Sequence, residues 1–196
     1  MLRDDEVIFN TGTDEHGKKL WEAAEKEGKD IQDYVDSYAS SFRNLKGLLN
    51  ISEDIHFIRT TDLNHIVAVS EFWKKCKDNG FIYKKTYKAK YCTGCELYKT
   101  DSELNEKGEC YVHPGKSVEI IDEENYFFKF SEFQDKLLKF YEENPNFVIP
   151  EFRFNEIKSF IKNGLEDFSI SRVASKMPWG IPVPDDKDQV IYVWFD

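Results

Sequence analysis

Residues 6–17 read EVIFNTGTDEHG. EVIFN is a short apolar run, and TGT breaks it with a glycine between two small hydroxyl residues. The pattern predicts a buried strand over 6–10 meeting a turn. Lys18 to Gly28 then has Leu20, Ala23 and Ala24 at helical spacing, with Gly28 as a stop. Residues 30–50 carry a stronger stripe of Ile31, Tyr34, Val35, Tyr38, Phe42, Leu45, Leu48 and Leu49, which predicts a second amphipathic helix. IHFIRT, 55–60, predicts another strand. A third helix is expected from about Asn64 to Asn79, closed by Gly80, with Ile66, Val69, Phe72, Trp73 and Cys76 on its apolar face. Strand–helix–strand alternation of this kind predicts an α/β sheet with crossover helices.

Downstream the periodicity weakens. NYFFKF (125–130) reads as a strand, followed by helices over 131–143 and 152–163. FSISRV reads as a strand, and MPWGIPVP, with three prolines, as extended chain. QVIYVWFD reads as a second buried strand running to the last residue.

The chain has 196 residues, 40% of them hydrophobic and 15% aromatic, enough to support a real core. No apolar run approaches the ~20 residues of a membrane span. MLRDDEVIFN lacks a signal-peptide stretch, so cytoplasm is the expected compartment. The formal net charge of −10 gives no long-range attraction for a polyanion. The one basic stripe is YKKTYKAKY, 83–91, with lysines at strand period. It reads as a solvated edge strand protected by its lysines, and secondarily as a contact for RNA.

Three of the four cysteines and one of the four histidines fall between Tyr91 and Gly115. Cys92, Cys95, Cys110 and His113 form C-x2-C-x14-C-x2-H. Thiols stay reduced in the cytoplasm, so such spacing points to metal before disulfide. Three thiolates and an imidazole make a closed tetrahedral Zn²⁺ site with no place for water, so the metal is expected to be structural. Glu96, Glu109 or a water are alternatives to His113 as fourth ligand. Cys76, on its helix face, is expected to be a small core residue.

Polar residues at strand ends are the other candidates. Ligands in open α/β sheets bind beyond the carboxyl ends of strands, where Asp14 would project. Its carboxylate could hold an ammonium group or cap the next helix. Arg172 sits between apolar neighbours and must be paired, by a ligand anion or by an internal carboxylate. Trp179 and Trp194 read most simply as core aromatics.

Taken in order, TGTDEHG (11–17), FIRTTD (57–62), YCTGCE (91–96), CYVHPG (110–115), ENYFFKFS (124–131), SISR (169–172), WGIPVP (179–184) and YVWFD (192–196) resemble a class I aminoacyl-tRNA synthetase of the methionyl family. The resemblance runs over essentially the whole chain. The isoleucyl, leucyl and valyl enzymes share the ISR and WG-x-P-x-P stretches and are the nearest rivals. The resemblance implies part of a Rossmann-type parallel-sheet catalytic domain over 1–61. A connective insertion follows over 62–188, with its zinc knuckle at about 84–125, and a return strand over 189–196.

The same resemblance implies activation of methionine by Mg²⁺-ATP to methionyl-adenylate and transfer to tRNA(Met). Asp14 matches the residue that holds the methionine ammonium, and Trp194 an aromatic wall of the side-chain pocket. Arg172 matches an arginine near the methionine carboxylate and the ATP phosphates. Cys92, Cys95, Cys110 and His113 match a zinc pattern of the family. The H-I-G-H-type and K-M-S-K-S motifs are absent, and SKMP at 175–178 is not the latter. The chain therefore reads as the middle of an enzyme, inactive alone. A stand-alone zinc module that binds RNA or protein, and a synthetase for another aliphatic amino acid, are the rival expectations.

Overall fold

The computed structural model describes residues 8–51, 54–95, 97–99, 103–115 and 118–196. Strand β1 (Phe9–Thr13) leads into helix α1 (Lys18–Glu27), helix α2 (Ile31–Leu48) and strand β2 (Ile55–Arg59). β1 and β2 pair in parallel, from Phe9 opposite Ile55 to Thr13 opposite Arg59. The two helices form the crossover that a parallel pair requires. A side chain at Gly12 would collide with the Ile58 carbonyl of the neighbouring strand, so this position tolerates only glycine.

The first strand differs from its expectation. It begins at Phe9 and runs through TGT, whereas Glu6 and Val7 lie outside the described residues. It is exposed along Phe9–Gly12, because among the described residues no layer covers the outer face of this two-stranded sheet. The stripe of α2 is split for the same reason. Tyr34, Val35 and Ala39 are buried, while Tyr38, Phe42, Leu45, Leu48 and Leu49 are exposed.

Helix α3 (Leu63–Asp78) buries Val69, Trp73 and Cys76. Trp73 has no accessible surface and centres the main core, with Val69, Ile170, Ile181, Val183 and Ile191. Burial pushes the Cys76 thiol up, as befits a packed and inert cysteine.

Next comes a long antiparallel arm, β3 (Ile82–Cys92) paired with β5 (Glu119–Phe128) in unbroken register. Short β4 (Leu97–Lys99) and β6 (Phe168–Ser169) flank it in the order β4-β3-β5-β6. Among the described residues β4 pairs only with Lys90–Cys92, so over Ile82–Ala89 the basic strand β3 has β5 on one side alone and is an edge there, as expected. Two of its lysines meet carboxylates of β5, Lys84 with Glu124 at 3.6 Å and Lys88 with Asp122 at 3.6 Å, and Lys84 also reaches Asp186 of the neighbouring sheet at 2.8 Å. The acidic run at 119–124 neutralises the stripe.

A 3₁₀ turn (Phe130–Phe133) precedes helices α4 (Gln134–Glu143) and α5 (Glu151–Lys162), which bury Tyr141, Ile161 and Leu165 between them. Strands β7 (Ser171–Val173), β8 (Pro182–Val183) and β9 (Asp186–Ile191) make a separate antiparallel sheet. The strand expected through Asp196 stops at Ile191. A turn replaces it, closed by the Phe195 N–H donating to the Tyr192 carbonyl at 2.7 Å. Phe195 returns into the core beside Trp73, with ring centres 5.5 Å apart. No helix among the described residues is long and apolar enough to cross a membrane.

Candidate functional site

The Cys/His group forms at the tip of the β3–β5 arm. Cys92 ends β3, and Cys95 follows within the turn to β4. The second hook is built by an Asn105 turn. The Asn105 Oδ1 accepts from the N–H groups of Lys107 and Glu109, both at 2.9 Å, and Gly108 takes a positive φ of 75°. Leu104 and Cys110 then bridge.

One ligand atom from each of Cys92, Cys95, Cys110 and His113 lies within 4.8 Å of all the others. Cys95 Sγ is 3.5 Å from Cys110 Sγ and 3.2 Å from His113 Nδ1, and Cys92 Sγ is 3.7 Å from the same nitrogen. Tetrahedral edges around Zn²⁺ would be about 3.8 Å between sulfurs and about 3.6 Å from sulfur to nitrogen. The group can therefore hold a metal ion. Gly94 makes room for it, since a Cβ there would stand 2.5 Å from the His113 ring. Glu109 is engaged elsewhere, its carboxyl held down by Asn105 and a backbone bond at Gly115. Glu96 lies outside the described residues.

The crowded thiols shift one another in opposite directions. Burial pushes Cys95 up to about 11, with the Cys110 and Cys92 sulfurs adding to the effect. Burial acts the same way on Cys110, but a backbone bond at Val112 and the His113 ring outweigh it and hold that thiol at about 6. The knuckle has little other core: Cys92, Leu104 and Cys110 are buried, with Cys95 and Val118 half-covered against them. Three of those five side chains are ligand candidates, so the metal would supply most of the local folding energy.

The second group lies at the carboxyl ends of β1 and β2. Asp14 is exposed there. The first residue of α1 follows Gly17, and no side chain caps that helix, so Asp14 is not its cap. Asp14 borders a cavity of about 90 Å³ with Leu20, Val35 and Tyr38 among its walls. The two following residues are buried anchors that reading by spacing missed.

Glu15 takes a two-pronged ion pair from Arg59, at 2.7 and 2.8 Å, and the hydroxyls of Thr13 and Thr61 also donate to it. Its N–H donates to the Thr60 hydroxyl at 2.9 Å, and its carbonyl accepts from Trp179 Nε1 at 2.6 Å. Burial pushes the Glu15 carboxyl up, but Arg59 and the two hydroxyls outweigh it, so the group sits below the ordinary 4.5. Asp36, on α2, takes the other edge of the Arg59 guanidinium. His16 Nδ1 lies 2.8 Å from the Asp196 carboxylate, with side chains only 6% and 1% exposed.

Trp194 is 65% exposed, and so is not the core aromatic its neighbours suggested. It sits in the turn after β9, where no strand ladder holds its side chain inward. Trp179 does pack inward, against α1 and α2. Arg172 is buried on β7. It donates to the Ser169 hydroxyl at 3.0 Å and the Ser171 carbonyl at 2.7 Å, and its guanidinium carbon stands 3.7 Å from the Tyr192 ring centre. It borders a cavity of about 270 Å³ with Lys18, Tyr91, Glu119 and Glu123.

The model of a family described as tRNA synthetases class I (M) matches residues 1–114 and 106–196. A methionine–tRNA ligase of Thermotoga maritima is 47% identical over 193 residues, covering 97% of this chain and 30% of the relative. A chloroplastic/mitochondrial methionine–tRNA ligase of Arabidopsis thaliana is 47% identical over 190 residues, with the same two coverages. A solved Mycobacterium tuberculosis methionyl-tRNA synthetase in complex with methionyl-adenylate superposes with a TM-score of 0.88 at 40% identity, covering 98% of this chain and 38% of that one. The chain thus spans about a third of the length of the relatives it matches.

Proposed function

Since the chain belongs to the tRNA synthetases class I (M) family, we propose that it is the central part of a methionine–tRNA ligase. That enzyme would activate methionine with Mg²⁺-ATP to methionyl-adenylate and transfer the acyl group to tRNA(Met) in the cytoplasm. The observation that carries this reading is the match over 98% of the chain to a synthetase holding methionyl-adenylate. Residues 1–61 would be part of the Rossmann-type catalytic domain. Residues 62–188 would be the connective insertion, and 189–196 the return to the catalytic part.

In this reading Asp14 holds the methionine ammonium by a charge-assisted bond. Trp194 supplies an aromatic wall for the thioether. Arg172 faces the methionine carboxylate and the ATP phosphates. Its planar fork suits either anion, and stacking on Tyr192 fixes the plane of that fork. Cys92, Cys95, Cys110 and His113 would hold Zn²⁺, which keeps the arm's tip folded and takes no part in chemistry.

The test is Asp14→Asn in the full-length protein. Asparagine keeps the size and removes the charge. Losing such a bond costs ~1.5–3 kcal/mol, so methionine-dependent pyrophosphate exchange should fall at least about tenfold with an unchanged melting temperature. Unchanged exchange in a folded variant would remove Asp14 from the site. Exchange in wild type with isoleucine, leucine or valine in place of methionine would move the protein to a sister specificity.

A further inference from the structure

Two exposed residues of the proposed site, Asp14 and Trp194, are each followed by two anchored ones. After Asp14 come Glu15, fixed to the end of β2, and His16, which is buried. After Trp194 come Phe195, fixed in the core against Trp73 and Phe128, and Asp196, whose side chain is 1% exposed. The two segments are 180 positions apart in sequence and meet through one bond, His16 Nδ1 to Asp196 Oδ2 at 2.8 Å. Trp179 braces the same junction. Its Nε1–H donates to the Glu15 carbonyl and its ring lies 5.6 Å from that of His16. A buried polar pair is retained at a cost in desolvation, and here it lies between the two segments that carry Asp14 and Trp194.

We propose that His16 and Asp196 are positioning residues that set the spacing between the Asp14 carboxylate and the Trp194 ring. They thereby fix where the ammonium and the apolar side chain of one amino acid are held together. The proposal rests on the synthetase reading above. Neither residue touches substrate in it. Each acts through the exposed residue two places before it, so binding of the amino acid should suffer while use of ATP does not.

The experiment uses the full-length protein with His16→Ala, Asp196→Ala, the double variant and His16→Asn, whose amide N–H can stand in for the ring Nδ1. Methionine KM should rise about tenfold in either alanine variant and no further in the double, with ATP KM unchanged. His16→Asn should restore it to within about threefold of wild type. Iodide quenching of Trp194, taken as the difference from Trp194→Phe, should change in the alanine variants and not in His16→Asn. A folded His16→Ala with unaltered methionine KM overturns the proposal. So does loss in both substrates that asparagine fails to rescue, which marks a merely structural pair. If His16→Ala does not fold, Asp196→Asn against Asp196→Ala makes the same comparison. If wild type lacks methionine-dependent exchange, the synthetase reading falls first. The quenching arm then decides alone, and unaltered quenching in the alanine variants ends the proposal.

Discussion

In the knuckle, four ligand atoms come from one continuous stretch, Cys92 to His113, and meet within 4.8 Å of one another. At the ends of β1 and β2 the polar group is drawn from four stretches. Glu15 reaches Arg59 across 44 positions, Trp179 across 164 and, next door, His16 reaches Asp196 across 180. The first group is local, and its crowded thiols and imidazole are placed to hold an ion. The second is assembled by the fold, with Glu15 paired to Arg59 and His16 to Asp196. One region would be completed by something it binds, the other by the chain around it, and they should therefore fail in different ways.

The sharpest break between them is Cys92→Ser. Structural zinc contributes on the order of 10 kcal/mol of apparent folding energy in small modules. The variant should lose its metal, about one zinc per chain in wild type, and residues 84–125 should become protease-sensitive. The α1–α2 cluster should melt as before. Good folding of wild type in chelator, with no zinc by elemental analysis, would erase the contrast.

Glu15→Gln should act in the opposite region. Leaving Arg59 without its two-pronged partner should cost about 3 kcal/mol, read as a lower melting temperature with zinc content intact. The pH dependence follows from the direction of the shift. The Glu15 carboxyl is depressed below 4.5, so its stabilisation is present above that pH and is lost as pH falls through the folded value. The stability gap between wild type and Glu15→Gln should shrink below pH 4.5. Parallel melting curves across that range would mean that the ion pair contributes nothing net.

The smallest effect expected is Gly94→Ala. Its new Cβ would press on the His113 ring and displace one ligand, weakening metal affinity about 10–100-fold without unfolding the sheet. Competition against a zinc chelator of known affinity measures this. Unchanged affinity would show that His113 can retreat and that the fourth ligand is looser than its spacing implies.

The same contrast governs what could be read from residues alone. The knuckle was legible because two-residue gaps encode a turn, and Cys76 could be set aside because it shared a helical face with Val69 and Trp73. Helices α1 to α3 were legible from their stripes, and α4 and α5 lie close to the spans expected at 131–143 and 152–163. At the strand ends the motif TGTDEHG drew attention to Asp14, yet its two neighbours carry the buried bonds. Glu15 and His16 are ordinary polar residues until Arg59 and Asp196 arrive from elsewhere. A hint did exist: Arg59, placed in a strand and followed by two threonines, needs a carboxylate. The lysines of β3 suggested an edge, and over most of their run they have a strand on one side only. That the acidic stretch of β5 lies opposite them was not legible, because alternation reports one strand alone. Trp194 failed as a core residue because its strand ends three positions earlier, where side-chain alternation no longer applies.

The β3–β5 arm has a mechanical consequence. Eleven residues at ~3.4 Å each make a beam about 34 Å long, so a five-degree swing at its root moves the tip by about 3 Å. The root is clamped in the Trp73 core. The tip is fastened by Lys18, at the start of α1, to Glu119 at 2.9 Å. Both side chains are partly exposed, and a fastening of that kind is worth under ~1 kcal/mol and weakens with salt. The arm is also braced along its length. Gln189 Nε2 donates to the Glu124 carbonyl at 2.8 Å, and the Arg172 guanidinium carbon stands 5.6 Å from the Tyr91 ring centre near the tip. Salt would therefore loosen one of several fastenings between the knuckle and the loop that carries Asp14.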